Sequence, residues 1–367
     1  MARVLIVGGI AESLWRFRGP LIREIVSRGH EVVACAPGVD ERTKSRLHEI
    51  GAKTLSVDLD RYGTNPISEI RRLISLKRVF VDAQPDVLLG YTIKPVIIGS
   101  IAAKLARVPR VFSMITGLGI SFLNQTPKQR ALSKLVAHLY RFALRSNERV
   151  FFQNEHDAQV FLQRRIINDP SKIVVVDGSG VDLSYFQEIE PPEVITFILM
   201  ARMIREKGVC EFVEAAGRLQ AEHPDVRVQI AGWIERGPSA IGLDEIQRWT
   251  ANGQVEYLGV LDDVRDAIAG SSVVVLPSFY PEGVPRSLLE GMAVGRPIIT
   301  TDTPGCRETV VDGLNGFLVP PREVESLANA MRRFVVDPGL VKEMGRQSRK
   351  IVEKRFDAKI VNLSLIH

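Results

Sequence analysis

The sequence predicts an α/β protein of two Rossmann-like, doubly wound domains facing a cleft. Three observations carry that expectation. The chain has 367 residues, more than one ordinary core holds. Short apolar runs alternate with helix-period patterns from end to end, the mark of βαβ units and parallel sheets. The alternation breaks once near the middle, where "IEPPEV" (189–194) carries two consecutive prolines that neither a helix nor a central strand accommodates.

In order, "RVLIVGG" reads as the first strand and "LWRFRGPLIREIVSRG" as its helix. "EVVACAPG" and "RTKSRLHEIG" form the next pair, then "PDVLLGY" with "PVIIGSIAAKLARV". "RVFSMITG", "ERVFFQN" with "DAQVFLQRR", and "KIVVVDGSG" complete the first series. Beyond the prolines come "ITFILMAR", "VCEFVEAAGRLQAEH", "VRVQIAGW", "QVEYLGV", "VRDAIAGS", "SVVVLPS" and "RPIITT". The expected domains are residues 1–188 and 192–351, with a final helix over 352–367 crossing back to the first.

No apolar run reaches the roughly 18 residues of a membrane span. "MARVLIVGGI" reads as a buried strand and not as a signal peptide. Cys35, Cys210 and Cys306 lie far apart, with neither metal-ligand nor disulfide spacing. A reducing cytoplasm is the expected setting. The net charge of +5 is unevenly placed: residues 1–190 hold 27 basic and 19 acidic side chains, and residues 91–150 hold 10 and one. Such asymmetry points to an anionic partner for the first half: nucleic acid, lipid headgroups or a phosphorylated substrate.

"PEGVPRSLLEGMAVGRPII" holds the most informative spacing. Glu282 stands in the loop after a buried strand, and Glu290 lies eight residues on, inside the helix that follows. A carboxylate at Glu290 can accept two hydrogen bonds from a ribose diol. Gly283, Val284 and Pro285 just precede the helix, whose first amides suit a phosphate. After another strand, "ARMIREKGV" places Arg202 and Lys207 where two cations can neutralise a leaving diphosphate without a metal.

Gly8 and Gly9 make a tight turn after the first strand but lack the G-x-G-x-x-G spacing of a dinucleotide site. Thr92 and Lys94, then Thr116 and Gly117 within "MITGLG", then Asn154 in "FFQNEHD", fall at further strand ends. Lys94 suits an acceptor phosphate. "TPKQRALSKLVAHLYRFALRSNERV" reads as a basic helix with a wide apolar face, suited to an anionic membrane or, on the simpler reading that the sequence slightly favours for the apolar face, packed on the sheet. Asp58-x-Asp60 could hold a metal, but the two-domain pattern and the cations at 202 and 207 argue against it, and no other metal cluster is evident.

Taken together, "ARMIREKGV", "VEYLGV", "GSGVDLSYF" and "LPSFYPEGVPRSLLEGMAVGRPIITTDTPGCRETVVDGLNGFLVPP" resemble the retaining glycosyltransferases of family 4, which have the GT-B fold. The resemblance spans nearly the whole chain and is strongest over 195–325. It matches the family's E-x7-E at Glu282 and Glu290. It departs from the commoner Pro-Phe-Gly with Gly283-Val284-Pro285 and Arg286, a variant similar to enzymes that build bacterial surface glycans on lipid carriers, N-acetylgalactosaminyl and galactosyl transferases among them.

The resemblance implies roles. Arg202 and Lys207 stabilise the leaving diphosphate, Glu282 contacts the donor sugar, Glu290 binds the ribose, and backbone near Gly259 and Val260 holds the base. Gly283–Pro285 and Arg286 meet phosphate or sugar, and the Gly8–Gly9 loop closes over the donor. The expected reaction moves a hexose or N-acetylhexosamine from a UDP-sugar to a polyprenyl-diphosphate saccharide, with no metal or other cofactor, at the inner membrane face. The first domain's usual cleft histidine is missing from "MITGLG", and His30, His48 and His138 read as structural or exposed. The competing readings are a nucleotide-sugar epimerase, for which no convincing proton-abstracting set is present, and a basic binding module, for which no nucleic-acid reader motif is present.

Overall fold

In a computed structural model of the chain, described for residues 1–60, 65–119, 122, 126–235, 237 and 239–366, two compact units emerge. One is Met1–Ser179 with Ala358–His367, and the other is Gly180–Asp357. The boundary thus precedes the prolines. Residues 189–194, read from sequence as a linker, belong to the second unit, and so do 352–357.

Unit 1 begins β1 (Arg3–Val7), α1 (Ala11–Ser27), β2 (Glu31–Ala36), α2 (Glu41–Glu49), β3 (Lys53–Ser56) and α3 (Pro66–Ala83). It continues with β4 (Val87–Tyr91), α4 (Ile93–Ala106), β5 (Arg110–Ile115), α5 (Pro127–Leu144), β6 (Arg149–Phe152), α6 (Glu155–Gln163) and β7 (Ile173–Val175). The sheet is parallel, in the order β3-β2-β1-β4-β5-β6-β7. The order reverses at β1 and β4, the crevice where doubly wound sheets take ligands. β1 and β4 are apolar on both faces, as strands covered by helices on both sides must be.

Unit 2 holds β8 (Thr196–Met200), α7 (Val209–Glu222), β9 (Arg227–Ala231), α8 (Leu243–Ala251), β10 (Glu256–Tyr257), α9 (Arg265–Ala269) and β11 (Val273–Leu276). Then follow α10 (Arg286–Ala293), β12 (Ile298–Thr301), α11 (Pro304–Arg307), β13 (Gly316–Val319), α12 (Val324–Val336) and α13 (Gly339–Ile351). Its parallel sheet runs β10-β9-β8-β11-β12-β13. Val209, Phe212, Val213, Ala216 and Leu219 recur at helical spacing and bury one stripe of α7 in the core. A π-helical turn, Val352–Phe356, ends the unit. The chain then returns to unit 1, where α14 (Ala358–Ile366) packs on α1 and lends Leu365 and Ile366 to that core.

One buried side chain fixes the start of unit 2. The Arg296 guanidinium is wholly buried and donates to the carbonyls of Ile189, Glu190, Ile268, Ala269 and Val294. The segment with the double proline is therefore tied to the ends of α9 and α10. Burial pushes the group's pKa down to about 10, so it stays charged at neutral pH.

Candidate active site

In unit 2 the loops after β8 and β11 are stitched together. Gly208, at φ +74°, opens α7 with no room for a side chain: a Cβ there would stand 2.1 Å from the Pro277 carbonyl oxygen. The Glu206 carbonyl accepts from the amides of Phe279 and Tyr280, both at 2.9 Å, and from Ser278 Oγ at 3.2 Å. This contact brings together two residues far apart in sequence. Lys207 Nζ pairs with Glu282 Oε1, and Ser278 Oγ donates to the same oxygen at 3.0 Å. Both side chains of the pair are 12% exposed, so the contact is reachable but largely screened from bulk water.

Arg202 donates to Glu235 Oε2 at 3.0 Å and lies 5.2 Å from the Tyr280 ring centroid, with Lys207 Nζ 5.4 Å from the same ring. The two cations thus share one aromatic ring. Burial works against the Arg202 charge, but Tyr280 and Glu235 outweigh it and hold the pKa above the ordinary arginine value. Two fixed cations, each held by a carboxylate, Arg202 by Glu235 and Lys207 by Glu282, can take up the charge of a diphosphate as it develops.

Glu290 projects from α10, where Arg286 Nε donates to its Oε1 at 3.0 Å. Arg286, expected from sequence to meet phosphate or sugar, here also orients the Glu290 carboxylate through this contact. Gly283, Val284 and Pro285 are buried, and Val284 is a core residue. Pro285 has no N–H to offer, so any anion contact at this turn falls to neighbouring amides. No side chain caps α10. The turn is held from behind by Gly305, whose Cβ, if present, would lie 1.6 Å from the Gly283 carbonyl oxygen.

Gly259 and Val260 follow β10. The Gly259 carbonyl accepts from Gly232 N at 2.8 Å, and Gly232 lies so close to Ala201 that a Cβ would meet its carbonyl oxygen at 1.7 Å. The ends of β8, β9 and β10 therefore sit side by side, with Arg202, Glu235 and the exposed Val260 along one edge.

In unit 1, Gly8, Thr92, Thr116 and Asn154 follow β1, β4, β5 and β6, neighbouring parallel strands, and so share one edge of the sheet. A Cβ on Gly8 would stand 2.3 Å from Tyr91 Oη, and one on Gly9 would stand 3.0 Å from Thr92 Oγ1. Tyr91 is buried, which raises its pKa to about 12, and its hydroxyl meets Ser13 Oγ at 2.7 Å. Thr92 holds the left-handed φ of +69°, a conformation that costs a β-branched residue about 1–3 kcal/mol. Lys94 is ion-paired with Glu69 at 2.8 Å. Thr116 and Gly117 are half-buried.

Asn154 is buried, and its side-chain oxygen caps α6 by accepting from Asp157 N at 2.8 Å. Asp58 and Asp60 both bind Arg72, at 3.3 and 3.4 Å. Among the described residues no group of His, Cys, Asp or Glu could hold a metal ion.

Sequence reasoning missed Tyr280, Glu235 and the Glu206 carbonyl. Tyr280 alone left a signal, an aromatic two residues before Glu282; the others act through contacts between distant loops.

Two family patterns match the chain. "Glycosyl transferases group 1" matches residues 194–337, and "Glycosyl transferase 4-like" matches residues 8–154. A Campylobacter jejuni N,N'-diacetylbacillosaminyl-diphospho-undecaprenol alpha-1,3-N-acetylgalactosaminyltransferase is 28% identical over 342 residues, 89% of this chain and 88% of that one. An Escherichia coli UDP-Gal:alpha-D-GlcNAc-diphosphoundecaprenol alpha-1,3-galactosyltransferase is 26% identical, covering 79% and 76%. Among solved structures, Anabaena HepE in complex with UDP and glucose superposes with a TM-score of 0.79 at 17% identity, covering 100% of this chain and 98% of that one. Sucrose-phosphate synthase from Thermosynechococcus elongatus gives 0.80 at 16% identity, covering 100% and 97%. With these matches and two parallel sheets of seven and six strands, the chain belongs to the group 1, family 4 retaining glycosyltransferases and has the GT-B fold.

Proposed function

We propose that this enzyme transfers a hexose or N-acetylhexosamine from a UDP-sugar to a saccharide carried on a polyprenyl diphosphate, in the assembly of a bacterial surface glycan. The observation that carries the reading is the Lys207–Glu282 pair with Arg202 and Tyr280 beside it. Relatives whose names specify undecaprenyl-diphosphate acceptors support the acceptor class, and the UDP complex of HepE supports the donor.

Lys207 and Arg202 donate to the diphosphate oxygens, whose charge grows as the glycosidic bond breaks. Glu282 sits against the sugar and favours its developing positive charge. The leaving phosphate oxygen takes the acceptor proton on the same face, so no protein nucleophile is needed. Glu290, oriented by Arg286, accepts from the ribose hydroxyls, and backbone at Gly259 and Val260 meets the base. In unit 1, Thr92, Lys94, Thr116 and Gly117 serve the acceptor. Gly8 and Gly9 let the turn after β1 lie against Tyr91 and Thr92, and Asn154 serves by fixing the start of α6. A lipid carrier places the reaction at the cytoplasmic surface of a membrane, with the enzyme bound there peripherally; no helix among the described residues is long and apolar enough to cross one.

The test is calorimetric titration with UDP in EDTA, on the wild type and on Arg202→Ala/Lys207→Ala. Hydrogen bonds to charged groups contribute about 1.5–3 kcal/mol each, so the double variant should bind at least about a hundredfold more weakly. Equal affinity in both proteins would remove Arg202 and Lys207 from the donor site. Screening UDP-sugars on polyprenyl-diphosphate acceptors then identifies the sugar.

A further inference from the structure

The helix α5 carries two apolar faces, and only one is covered. Val136, Tyr140, Ala143 and Leu144 pack inward. Leu132, Leu135, Leu139 and Phe142 are 41–57% exposed. Their spacing of three, four and three residues keeps them on one stripe of an α-helix. Four large apolar side chains held in water along one stripe form a patch rather than scattered exposure.

The charge around this stripe has one sign. Lys128 lies at its N-terminal end, and Lys134 and Arg145 run alongside it, all exposed. From α4, Lys104 Nζ stands 5.8 Å from the Phe142 ring, and Leu105 beside it is exposed. α5 has no acidic residue. The one acid of residues 91–150, Glu148, is engaged by Arg110 at 2.8 Å. Across α4, which packs against both of its neighbours, α3 adds a second apolar row: Ile67, Ile70 and Ile74 are exposed at helical spacing, with Arg71, Lys77 and Arg78 exposed on the same helix beside one exposed acid, Asp82, while its other acid, Glu69, is paired with Arg72 and Lys94.

We propose that the outer surface of α5, extended by the end of α4 and by α3, is the face with which this protein docks on an anionic lipid bilayer. An apolar stripe flanked by lysine and arginine meets both requirements of an interfacial helix: side chains that enter the acyl boundary and cations that meet the headgroups. A second copy of the chain is the poorer occupant, because it would set basic patch against basic patch. Nucleic acid is poorer too, since the stripe is aliphatic apart from Phe142 and offers no row of stacking rings. The inference extends the lipid-linked acceptor reading, but its test reads binding and not transfer.

The test is flotation of the full chain with vesicles of phosphatidylethanolamine and phosphatidylglycerol, beside vesicles of phosphatidylcholine alone. The variants are Leu135→Glu/Leu139→Glu and Lys128→Ala/Lys134→Ala, with gel filtration, thermal melting and UDP titration on each. All four positions are exposed, so the fold and UDP affinity should persist. The wild type should float with the anionic vesicles and not with the neutral ones. Each basic residue near an anionic surface contributes about 1 kcal/mol, so loss of two lysines should weaken partitioning about thirtyfold. The glutamate variant should abolish it.

Three results would overturn the proposal: equal binding to neutral vesicles, flotation unchanged in the Leu135→Glu/Leu139→Glu variant, or a wild-type dimer that this variant dissolves. A wild type that floats without binding UDP would leave the docking face standing and defeat the donor reading instead.

Discussion

Asp157 offers a test of the fold that needs no substrate. It lies in the first turn of α6, beneath the Asn154 cap, 2% exposed, and among the described residues its Oδ2 has no hydrogen-bond partner. Burial raises its pKa from 3.8 to about 7. In the folded protein the carboxyl is therefore protonated across a range where the unfolded chain has released the proton. The folded state binds more protons there, so stability falls as pH rises from roughly 4 to 7 and this group adds nothing further above that. The interval is about three pKa units, and at 1.36 kcal/mol per unit the loss approaches about 4 kcal/mol.

Asp157→Asn keeps the shape and removes the titration. Near pH 4 the two proteins should have similar stability. At pH 8 the asparagine variant should be more stable by at least about 1 and at most about 4 kcal/mol. Urea unfolding is read through Trp15, the only tryptophan of unit 1, in a background where Trp233 and Trp249 are phenylalanine. Parallel stability curves for the two proteins from pH 5 to 8 would refute the reasoning, because they would mean that Asp157 is ionised in both states.

Glu282→Gln and Lys207→Ala should each lower turnover at least tenfold while the protein stays folded, since removing a contact of this kind typically costs about 2.7–4 kcal/mol of transition-state stabilisation; near-normal rates in both would dismiss their roles. Arg296→Met should destabilise unit 2 by about 3–5 kcal/mol in urea titration, because five carbonyls lose their donor; a change under about 1 kcal/mol would show that water replaces the guanidinium. Gly305→Ala should push the 282–285 turn away from α11 and cost about tenfold or more in kcat/KM, equivalent to about 1.4 kcal/mol, and full activity would show that the turn shifts without moving Glu282.

The sheets were legible because their strands are buried on both faces and read as unbroken apolar runs, "TFILM" and "VVVL" above all. The Glu282 and Glu290 spacing was legible because a strand, a loop and one short helix set it locally. Other features depend on partners remote in sequence. Nothing in "GRPII" announces that Arg296 would gather carbonyls more than a hundred residues away. Asn154 reads as a strand-end polar residue until the cap to Asp157 is seen. The apolar residues of α5 give one broad signal in sequence, and only the packing divides them into a covered face and an open one.

The return of α14 to unit 1 has a consequence for biosynthesis. Its partner surface on α1 is made at the start of translation, but α14 follows the whole of unit 2, Gly180–Asp357. At about 5–20 residues per second, roughly 10–40 s pass before the missing piece can emerge. During that interval the core facing Leu365 and Ile366 lies open on the nascent chain while unit 2 is still being made. Unit 2, one unbroken stretch of chain, is therefore fully synthesised before unit 1 receives its last helix.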